Sequence, residues 1–448
     1  MNATHIPLLS TDELLRTLFT EAVGGQNFDS QSGGYSFSAV LADERELEKK
    51  NAAGDSQSAL LKLSVADPVW KMPRGALEAG MKYYEVAWDA TRYKDNTGVR
   101  ATPDTIMTED THAKMARLLQ ARHSVVTEDG KGLTEDWVQH SPGSIKRMLA
   151  EYLPTLFFED RTTLLFPSPS YQVIASPMNR RGAVLLNAPL KFMSGRWGLA
   201  MGDLTRTVEE SVQEKLFLYA NLPHNPTGTG YTRQEWEVLI TWACKYGVMI
   251  IVDEAYIDLR YRSEIVSVLQ VPGWERCCIV LQSVSKGWNA TGLRFGWAIA
   301  HPTVIKALRK VMDVKDSGLF GPSIVAGIWC LLHPEIAEET NRAYSMLHTD
   351  LALGLKKSGF VGRVPDAGLC QFTPAPKSAN GVEFATAADS AKWLRETLRI
   401  SVMHAEADGR QWLRWAVTIQ AVPKCCLHDE TEVIAEVVRR LKSVEFVF

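Results

Sequence analysis

Short, continuous apolar runs alternate with helical patterns between residues 130 and 320, and this alternation limits the folds open to the chain. The apolar residues of each run are neighbours instead of alternating with polar ones, which is typical of strands covered on both faces. Regular alternation of such strands with helices predicts an α/β fold with a mostly parallel sheet. The predicted strands are 164–166, 184–186, 216–218, 248–252, 279–281 and 295–300.

One helix between these strands has a clear start. Thr232 followed by Glu235 forms a capping box, in which each side chain satisfies a backbone amide at the helix start. Apolar residues then recur at helical spacing and predict one buried face over residues 232–246. They are Trp236, Leu239, Ile240, Ala243 and Cys244.

Composition excludes several classes of protein. The net charge of −3 leaves no basic excess for nucleic acid or for an anionic membrane. Seven cysteines without a CxxC spacing predict neither a metal site nor a disulfide framework. No basic stretch with an apolar core stands at residues 1–10, and no apolar run reaches about 18 residues. We therefore expect a cytoplasmic protein with reduced thiols.

Lys286 lies in a polar segment directly after the predicted strand 279–281. Ser283 and Ser285 precede this lysine, and Arg294 follows it by eight residues. A lysine amine can form a Schiff base with an aldehyde cofactor, while hydroxyls and a guanidinium hold the phosphate of that cofactor. Burial and a neighbouring cation would lower the pKa of the amine and make it nucleophilic.

Two upstream segments supply further polar groups. Asp253 ends the strand 248–252, where α/β proteins place ligand-binding residues, and Tyr256 follows three residues later. An ionised aspartate stabilises the protonated ring nitrogen that a pyridine cofactor needs as an electron sink. Asn225 begins the sequence Asn-Pro-Thr-Gly after the strand 216–218. Taken alone, Asp253 could be a helix cap and Asn-Pro-Thr-Gly a simple turn.

Together these three segments resemble the signature of the fold-type I pyridoxal-phosphate enzymes of the class I/II aminotransferase family. The resemblance spans roughly residues 60 to 440. It implies pyridoxal 5′-phosphate as cofactor, bound covalently to Lys286. It also implies that Asn225 and Tyr256 donate to the phenolate oxygen of the ring, and that Tyr171 stacks on the ring.

The phosphate of such a cofactor needs a helix start as well as Arg294. Ser-Pro-Gly-Ser at 141–144 precedes an apolar stripe at helical spacing. The free amides of Gly143, Ser144 and Ile145 would then face the phosphate, and the helix dipole would favour its charge. This segment is similar to the small-residue phosphate cup of the family, although Ser-Pro-Gly can also simply start a helix.

The resemblance also implies which residues contact the substrate and which contact the neighbouring subunit. Arg414, placed by the pattern just before a strand at 415–419, matches the arginine that clamps the substrate α-carboxylate. Arg410 is its rival, and Arg399 is a weaker candidate. Tyr93 matches a tyrosine that reaches the phosphate in the neighbouring subunit, which implies a homodimer with shared active sites. A loop tyrosine without a ligand is the alternative.

The resemblance implies a domain plan. Residues 1–58 are a polar arm, and residues 93–330 form the large cofactor-binding domain. A smaller α+β domain combines residues 59–92 with residues 331–448.

Amino transfer between an α-amino acid and an oxo acid is the implied reaction. The alternative is elimination or replacement at Cβ or Cγ, for example on substrates like S-adenosylmethionine in a biosynthetic pathway. Three departures from the family pattern leave this alternative open: Val-Ala-Asp-Pro at 65–68, the bulky Trp288, and the long arm. A regulator without turnover would carry an added DNA-binding domain, for which the arm is too short and too acidic.

Overall fold

A computed structural model describes residues 38–86, 110–193, 195–211, 215–316 and 320–448. Contacts divide the chain into two compact units. One contains residues 1–60 with 424–426, and the other contains residues 61–423 with 427–448. In the first unit, the Asp55 side chain accepts from the Gln57 amide (2.9 Å) and caps a short 3₁₀ helix, Ser56–Ser58. The other features of the fold belong to the second unit, except for the helix Ser38–Glu48.

The strands of the described chain are numbered in sequence order. They are β1 Leu61–Lys62, β2 Val138–Pro142, β3 Thr162–Ser168, β4 Val184–Met193, β5 Arg196–Leu199, β6 Lys215–Asn221, β7 Val248–Asp253, β8 Cys278–Ser283, β9 Phe295–Ile299, β10 Cys370–Pro374, β11 Ser378–Ala379, β12 Val382–Glu383, β13 Ile400–Ser401, β14 Met403–Ala407, β15 Arg410–Ala416 and β16 Phe446–Val447.

The helices connect and cover these strands. They are Ser38–Glu48, Arg74–Val86, Thr111–His123, Ser144–Arg147, Leu153–Phe157, Ala175–Asn179, Met201–Glu209, Arg233–Tyr246, Pro302–Lys315, Gly321–Leu332, Pro334–Lys357, Ala387–Thr397 and Glu430–Leu441, with a π turn at Met148–Tyr152. Among the described residues, none of these helices is long and apolar enough to cross a bilayer.

An eight-stranded sheet with the order β2-β9-β8-β7-β6-β3-β4-β5 forms the centre of the second unit. The five strands from β8 through β4 in that order are mutually parallel. β9 and β5 run antiparallel to their neighbours β8 and β4. The prediction of an α/β fold with a mostly parallel sheet is therefore confirmed.

The apolar runs became strands because their side chains fill the core on both faces of the sheet. β8 is buried along its whole length, and so is β9. β4 departs from this expectation, since Val184 and Leu185 at its start are 37% and 36% exposed. β4 lies next to the edge strand β5, and an apolar run in the sequence does not reveal how near an edge its strand will lie.

The predicted helix occupies Arg233–Tyr246, with Thr232 as its N-cap. The capping box is present: the Glu235 amide donates to Thr232 Oγ1 (3.3 Å), and the Thr232 amide donates to Glu235 Oε2 (2.8 Å). Trp236, Leu239, Ile240 and Ala243 are buried, as the pattern predicts, whereas Cys244 is exposed. The helix ends at Gly247, which takes a left-handed conformation (φ 65°) that glycine adopts at low cost.

The strand predicted at 415–419 was placed wrongly. β15 runs from Arg410 to Ala416 in the centre of a three-stranded antiparallel sheet, β10-β15-β14. Its start was not recognised because Arg410 and Gln411 are polar, and because the sequence does not specify the two strands with which they pair. Arg414 consequently lies inside this strand, opposite Phe372 and Met403.

β1 pairs in parallel with β13, so the segment after residue 60 lies beside the C-terminal third of the chain. The Ala416 amide also donates to the Leu63 carbonyl (2.8 Å). These contacts lead residues 64–67 towards the end of β15. The boundaries proposed for the large and small domains remain a prediction.

Candidate active site

The carboxyl ends of three adjacent parallel strands form the floor of the site. β6 ends at Asn221, β7 at Asp253 and β8 at Ser283. Asn221 is directly opposite Asp253 in the register of β6 and β7. Parallel strands bring their carboxyl ends to one edge of a sheet, where α/β proteins bind ligands.

Asp253 is a buried carboxylate held in a fixed orientation. The Tyr219 hydroxyl donates to Oδ2 (2.7 Å), and the Ala255 amide donates to Oδ1 (3.1 Å). Burial raises the pKa of Asp253 to about 6, although these hydrogen bonds and the Lys286 cation act in the opposite direction. A cation placed beside Asp253 would restore its ionised form.

Tyr219 is a site residue that the sequence pattern did not identify. It is completely buried on β6, and its ring stacks on Phe166 (centroids 5.7 Å apart). An apolar run with one tyrosine predicts only a core strand. A signal was nevertheless available, because residues on adjacent parallel strands near the same edge are expected to meet.

Lys286 lies directly beyond the end of β8, and its Nζ donates to two oxygens. They are the Ala66 carbonyl (2.9 Å) and Asp67 Oδ1 (3.2 Å). Burial lowers the pKa of Lys286, Asp67 opposes this shift, and Arg294 adds to it. The amine also lies 6.0 Å from the ring centre of Tyr256. Asp67 was not predicted as a site residue, since only the fold brings residue 67 to residue 286.

Three more predicted residues lie around the same space. Tyr256 is buried, and burial raises the pKa of its hydroxyl well above the ordinary value. Tyr171 follows β3 and is close enough to Tyr219 and Tyr256 for its charge state to affect the pKa of both. The Asn225 amide donates to Asn221 Oδ1 (3.0 Å), which anchors the turn after β6.

The predicted phosphate-binding groups come together at the start of the helix Ser144–Arg147. Ser144 Oγ and Ser285 Oγ are 3.4 Å apart, and both residues are buried. Arg294 Nη2 donates to the Gly143 carbonyl (2.7 Å). Ile145 is buried behind the cup, and the Ser285 amide donates to Ser283 Oγ (3.3 Å). Hydroxyls, a guanidinium and a helix start are suited to an anion such as a phosphate.

Backbone shape makes this cup possible. Gly143 and Ser144 both have positive φ (81° and 65°), so the chain turns sharply into the helix. Gly296 on β9 lies against the cup, where a Cβ atom would come within 3.2 Å of Ser144 Oγ and 2.8 Å of the Gln282 carbonyl. The absence of a side chain at residue 296 therefore lets β8 and the cup approach each other.

Arg414 lies at the other side of this space and is 5% exposed. Its Nη1 donates to Asn225 Oδ1 (3.2 Å), and its Nη2 donates to the Ser64 carbonyl. Arg414 also lowers the pKa of Tyr256 from the value that burial would impose. A buried guanidinium beside these groups can bind a carboxylate through two parallel hydrogen bonds.

The rival arginines are placed differently. Arg410 is exposed at the other end of β15, opposite Ala407. The Arg399 carbonyl accepts from the Leu61 amide (2.8 Å), directly before β13. Tyr93 lies outside the described residues, so the structure does not place it.

The residues present fit pyridoxal phosphate. A lysine with a lowered pKa, a buried carboxylate and an anion cup lie around one space, as an aldehyde, a pyridine nitrogen and a phosphate require. Trp288, a departure from the family pattern, is fully buried and donates to the His333 carbonyl (2.9 Å). In the part of the chain that the structure describes, no group of three or more metal-ligating side chains occurs.

Comparison with known proteins identifies the family of this chain. Residues 75–422 match the sequence profile of the aminotransferase class I and II family. The chain belongs to that family. An LL-diaminopimelate aminotransferase of Methanocaldococcus jannaschii is 27% identical over 98% of this chain and 100% of that protein. A glutamate-pyruvate aminotransferase of Escherichia coli is 28% identical over 50% of this chain and 54% of that protein.

The fold of this family member also matches solved structures. An aspartate aminotransferase from Rhizobium meliloti superposes with a TM-score of 0.76, at 17% identity, over 93% of this chain and 98% of that one. The protein is a pyridoxal-phosphate-dependent aminotransferase that acts on an amino acid, and its other substrate is an oxo acid. The predicted reaction class and cofactor are thereby confirmed. The individual residue roles remain predictions.

Proposed function

We propose that Lys286 is the residue that bonds to the cofactor and moves the proton during amino transfer. The convergence of Lys286, Asp253 and the phosphate cup at one sheet edge carries this proposal. When bound, pyridoxal phosphate supplies an aldehyde carbon and a ring that withdraws electrons. Burial lowers the pKa of Lys286, which favours the neutral amine that would accept the proton from the substrate α-carbon.

The other side chains position the reactants. Asp253, ionised beside the ring nitrogen, holds that nitrogen protonated. Tyr256 and Asn225 would hold the ring oxygen, and Tyr171 would lie against the ring. Arg294, Ser283, Ser285 and the amides of 143–145 hold the phosphate. These assignments follow the position of each residue and the family resemblance.

Arg414 binds the α-carboxylate of the amino acid in this proposal. Its burial beside Asn225 supports this role, since Asn225 can then contact both the substrate and the ring. The relative that matches along nearly the whole chain is named for LL-diaminopimelate, which makes this diamino acid the first donor to test. The family resemblance assigns Tyr93 of a second copy to the phosphate, so we propose that the active form is a homodimer.

A product assay tests the reaction. The purified holoenzyme is incubated with LL-diaminopimelate, alanine, glutamate and aspartate, each with 2-oxoglutarate or pyruvate, and both products are quantified. The expected result is one new amino acid for each oxo acid formed. Release of free ammonia, or loss of a Cβ or Cγ substituent without a new amino acid, would contradict transfer and favour elimination.

Lys286→Ala tests the residue assignment. We expect this variant to bind the cofactor through the phosphate contacts but to lose both the covalent bond and turnover. Borohydride reduction followed by peptide mapping measures the bond directly. Cofactor that still reduces onto the protein, at another lysine, would contradict the role of Lys286. Lys392→Ala, an exposed lysine on the helix Ala387–Thr397, is the matched control.

A further inference from the structure

None of the residues that line a cleft of about 800 Å³ is assigned to the cofactor or the substrate, and these residues come from four segments. They are the C-terminus of the helix Thr111–His123, the turn after β7, the end of the helix Gly321–Leu332, and the start of the helix Pro334–Lys357. Small-molecule sites in proteins occupy about 300–1,000 Å³. The volume of this cleft is therefore suited to a small ligand.

Three arginines line the cleft, and two of them have carboxylate partners within the chain. Arg122 pairs with Asp258, and its guanidinium lies 4.8 Å from the ring centre of Trp288. Arg262 donates to Glu264 Oε1 (2.7 Å) and to Asp366 Oδ1 (3.3 Å). Their charges are balanced by the protein itself.

Arg260 has a different environment. Its Nη1 donates to the Ile265 carbonyl (2.9 Å), and it forms no ion pair with any residue that the structure describes. Burial lowers the pKa of this guanidinium, against the influence of the more distant Asp258 and Glu254. A partly buried cation that faces open space without a direct carboxylate is costly unless an anion joins it.

Glu254 is a poor counter-ion for Arg260. The Val268 amide donates to Glu254 Oε1 (2.8 Å), and Gln282 Nε2 donates to Oε2 (2.6 Å). Burial raises the pKa of Glu254 to about 7, so this carboxyl is partly protonated near neutral pH. Arg260 is therefore the cation that the cleft offers to an anion.

One part of the cleft wall is apolar. Leu118, Leu331 and Leu332 line it, and Leu332 is 46% exposed. A fully hydrated ion gains nothing from such a wall, whereas an organic anion buries its hydrocarbon part there. We propose that the cleft binds a small organic carboxylate with an apolar body, whose carboxylate pairs with Arg260. This site is separate from the substrate site at Arg414.

Calorimetric titration of the holoenzyme with benzoate tests the proposal, with inorganic phosphate as an anion that has no apolar body. We expect benzoate to bind more tightly than phosphate. Arg260→Gln should weaken benzoate binding by at least about tenfold, since it removes the charge that pairs with the carboxylate. Arg262→Gln is the matched control and should change the affinity little, because protein carboxylates already neutralise Arg262.

A second pair of variants keeps the test valid if Arg260→Gln does not fold. Glu338 is exposed at the cleft, so Glu338→Trp should obstruct part of the cleft and weaken benzoate binding. Glu338→Gln removes the same negative charge without the bulk, and should keep or strengthen binding. Cofactor content and the melting temperature report whether each variant is folded.

Several results would overturn this proposal. Benzoate binding that is lost in Arg414→Ala but kept in Arg260→Gln would place the anion in the substrate site. Equal affinity for benzoate and phosphate would exclude a role for the apolar wall. Unchanged binding in Glu338→Trp would place the ligand outside the cleft. Benzoate binding that survives Arg414→Ala, weakens at least about tenfold in Arg260→Gln and also weakens in Glu338→Trp supports it.

Discussion

At the scale of single residues, the site contains a buried carboxylate, Asp253, whose burial is costly until a cation lies beside it. Asp253 is 2% exposed, and its pKa of about 6 lies above the ordinary value of 3.8. Without a cation beside it, this carboxyl keeps its proton to a higher pH. A protonated ring nitrogen supplies that cation, so cofactor binding and ionisation of Asp253 favour each other.

Asp253→Asn should leave the fold nearly intact but reduce turnover by more than about tenfold, equivalent to about 1.4 kcal/mol. In the wild type, cofactor affinity should rise as pH rises through about 6, because only ionised Asp253 stabilises the ring cation. An amide cannot ionise, so this pH dependence should be absent from the variant. Stopped-flow turnover and titrations from pH 5 to pH 8 measure both effects, and a parallel pH dependence in the variant would contradict the role of Asp253.

Arg414→Lys should weaken the use of α-amino acids by about 2–4 kcal/mol in kcat/KM, because lysine cannot form the paired hydrogen bonds of a guanidinium. Cofactor affinity should hardly change, since the phosphate contacts are elsewhere. Steady-state kinetics and cofactor titration separate the two effects. Arg410→Lys, at the exposed end of the same strand, is the matched control. Equal loss of substrate and cofactor would mean that Arg414 supports the fold.

At the scale of elements, strand ends and helix starts determine which side chains meet. β6, β7 and β8 deliver Asn221, Asp253 and Ser283 to one edge, and the helix beginning at Ser144 faces them. The approach of β9 to this helix depends on Gly296. This contact between elements is as important to the phosphate cup as the hydroxyls themselves.

Gly296→Ala should lower cofactor affinity and stability, because the new methyl group would push against Ser144 Oγ and the Gln282 carbonyl. Overpacking of this kind typically costs about 1–3 kcal/mol. Gly198→Ala, also in a strand but with open space around it, is the matched control and should change neither property. Cofactor titration and thermal unfolding check the result. Equal behaviour of the two variants would mean that the cup does not need this close approach.

At the scale of the whole molecule, the proposal is that two chains together complete each active site. The proposed homodimer places Tyr93 of one copy at the phosphate of the other. Tyr93→Ala should then lower cofactor affinity, while Lys286→Ala abolishes turnover. When the two variants are unfolded and refolded together, a hybrid dimer contains one site with both native residues. We expect activity at limiting cofactor to exceed that of either variant refolded alone.

Two controls make the mixing experiment decisive. Light scattering gives the mass of the wild-type particle, which should equal two chains. The same mixing with Tyr93→Ala and Asp253→Asn should also restore activity, because these two residues are again on different chains of one site. Activity that never exceeds the sum of the separate variants would contradict a shared site.

Some parts of this structure were predicted from the sequence, and others were not. The capping box at Thr232, the apolar strands and the segment around Lys286 are local patterns, and the sequence predicted each of them. The strand β15 was misplaced and the exposed start of β4 was not foreseen. Both depend on which strands become neighbours, and no local pattern encodes this choice.

The sequence alone determined the parallel α/β architecture, the cofactor and the reaction class. Apolar periodicity and the three short motifs are local features, each contained in a few consecutive residues. Only the tertiary structure decided that Tyr219 holds Asp253 and that Asp67 meets Lys286 across 219 positions. It also decided that Arg260 faces a cleft without a carboxylate partner among the residues the structure describes. These contacts join residues that are far apart in the chain. The pKa values of the side chains involved depend on how deeply each side chain is buried. Burial is a property of the packed molecule, so no stretch of sequence contains it.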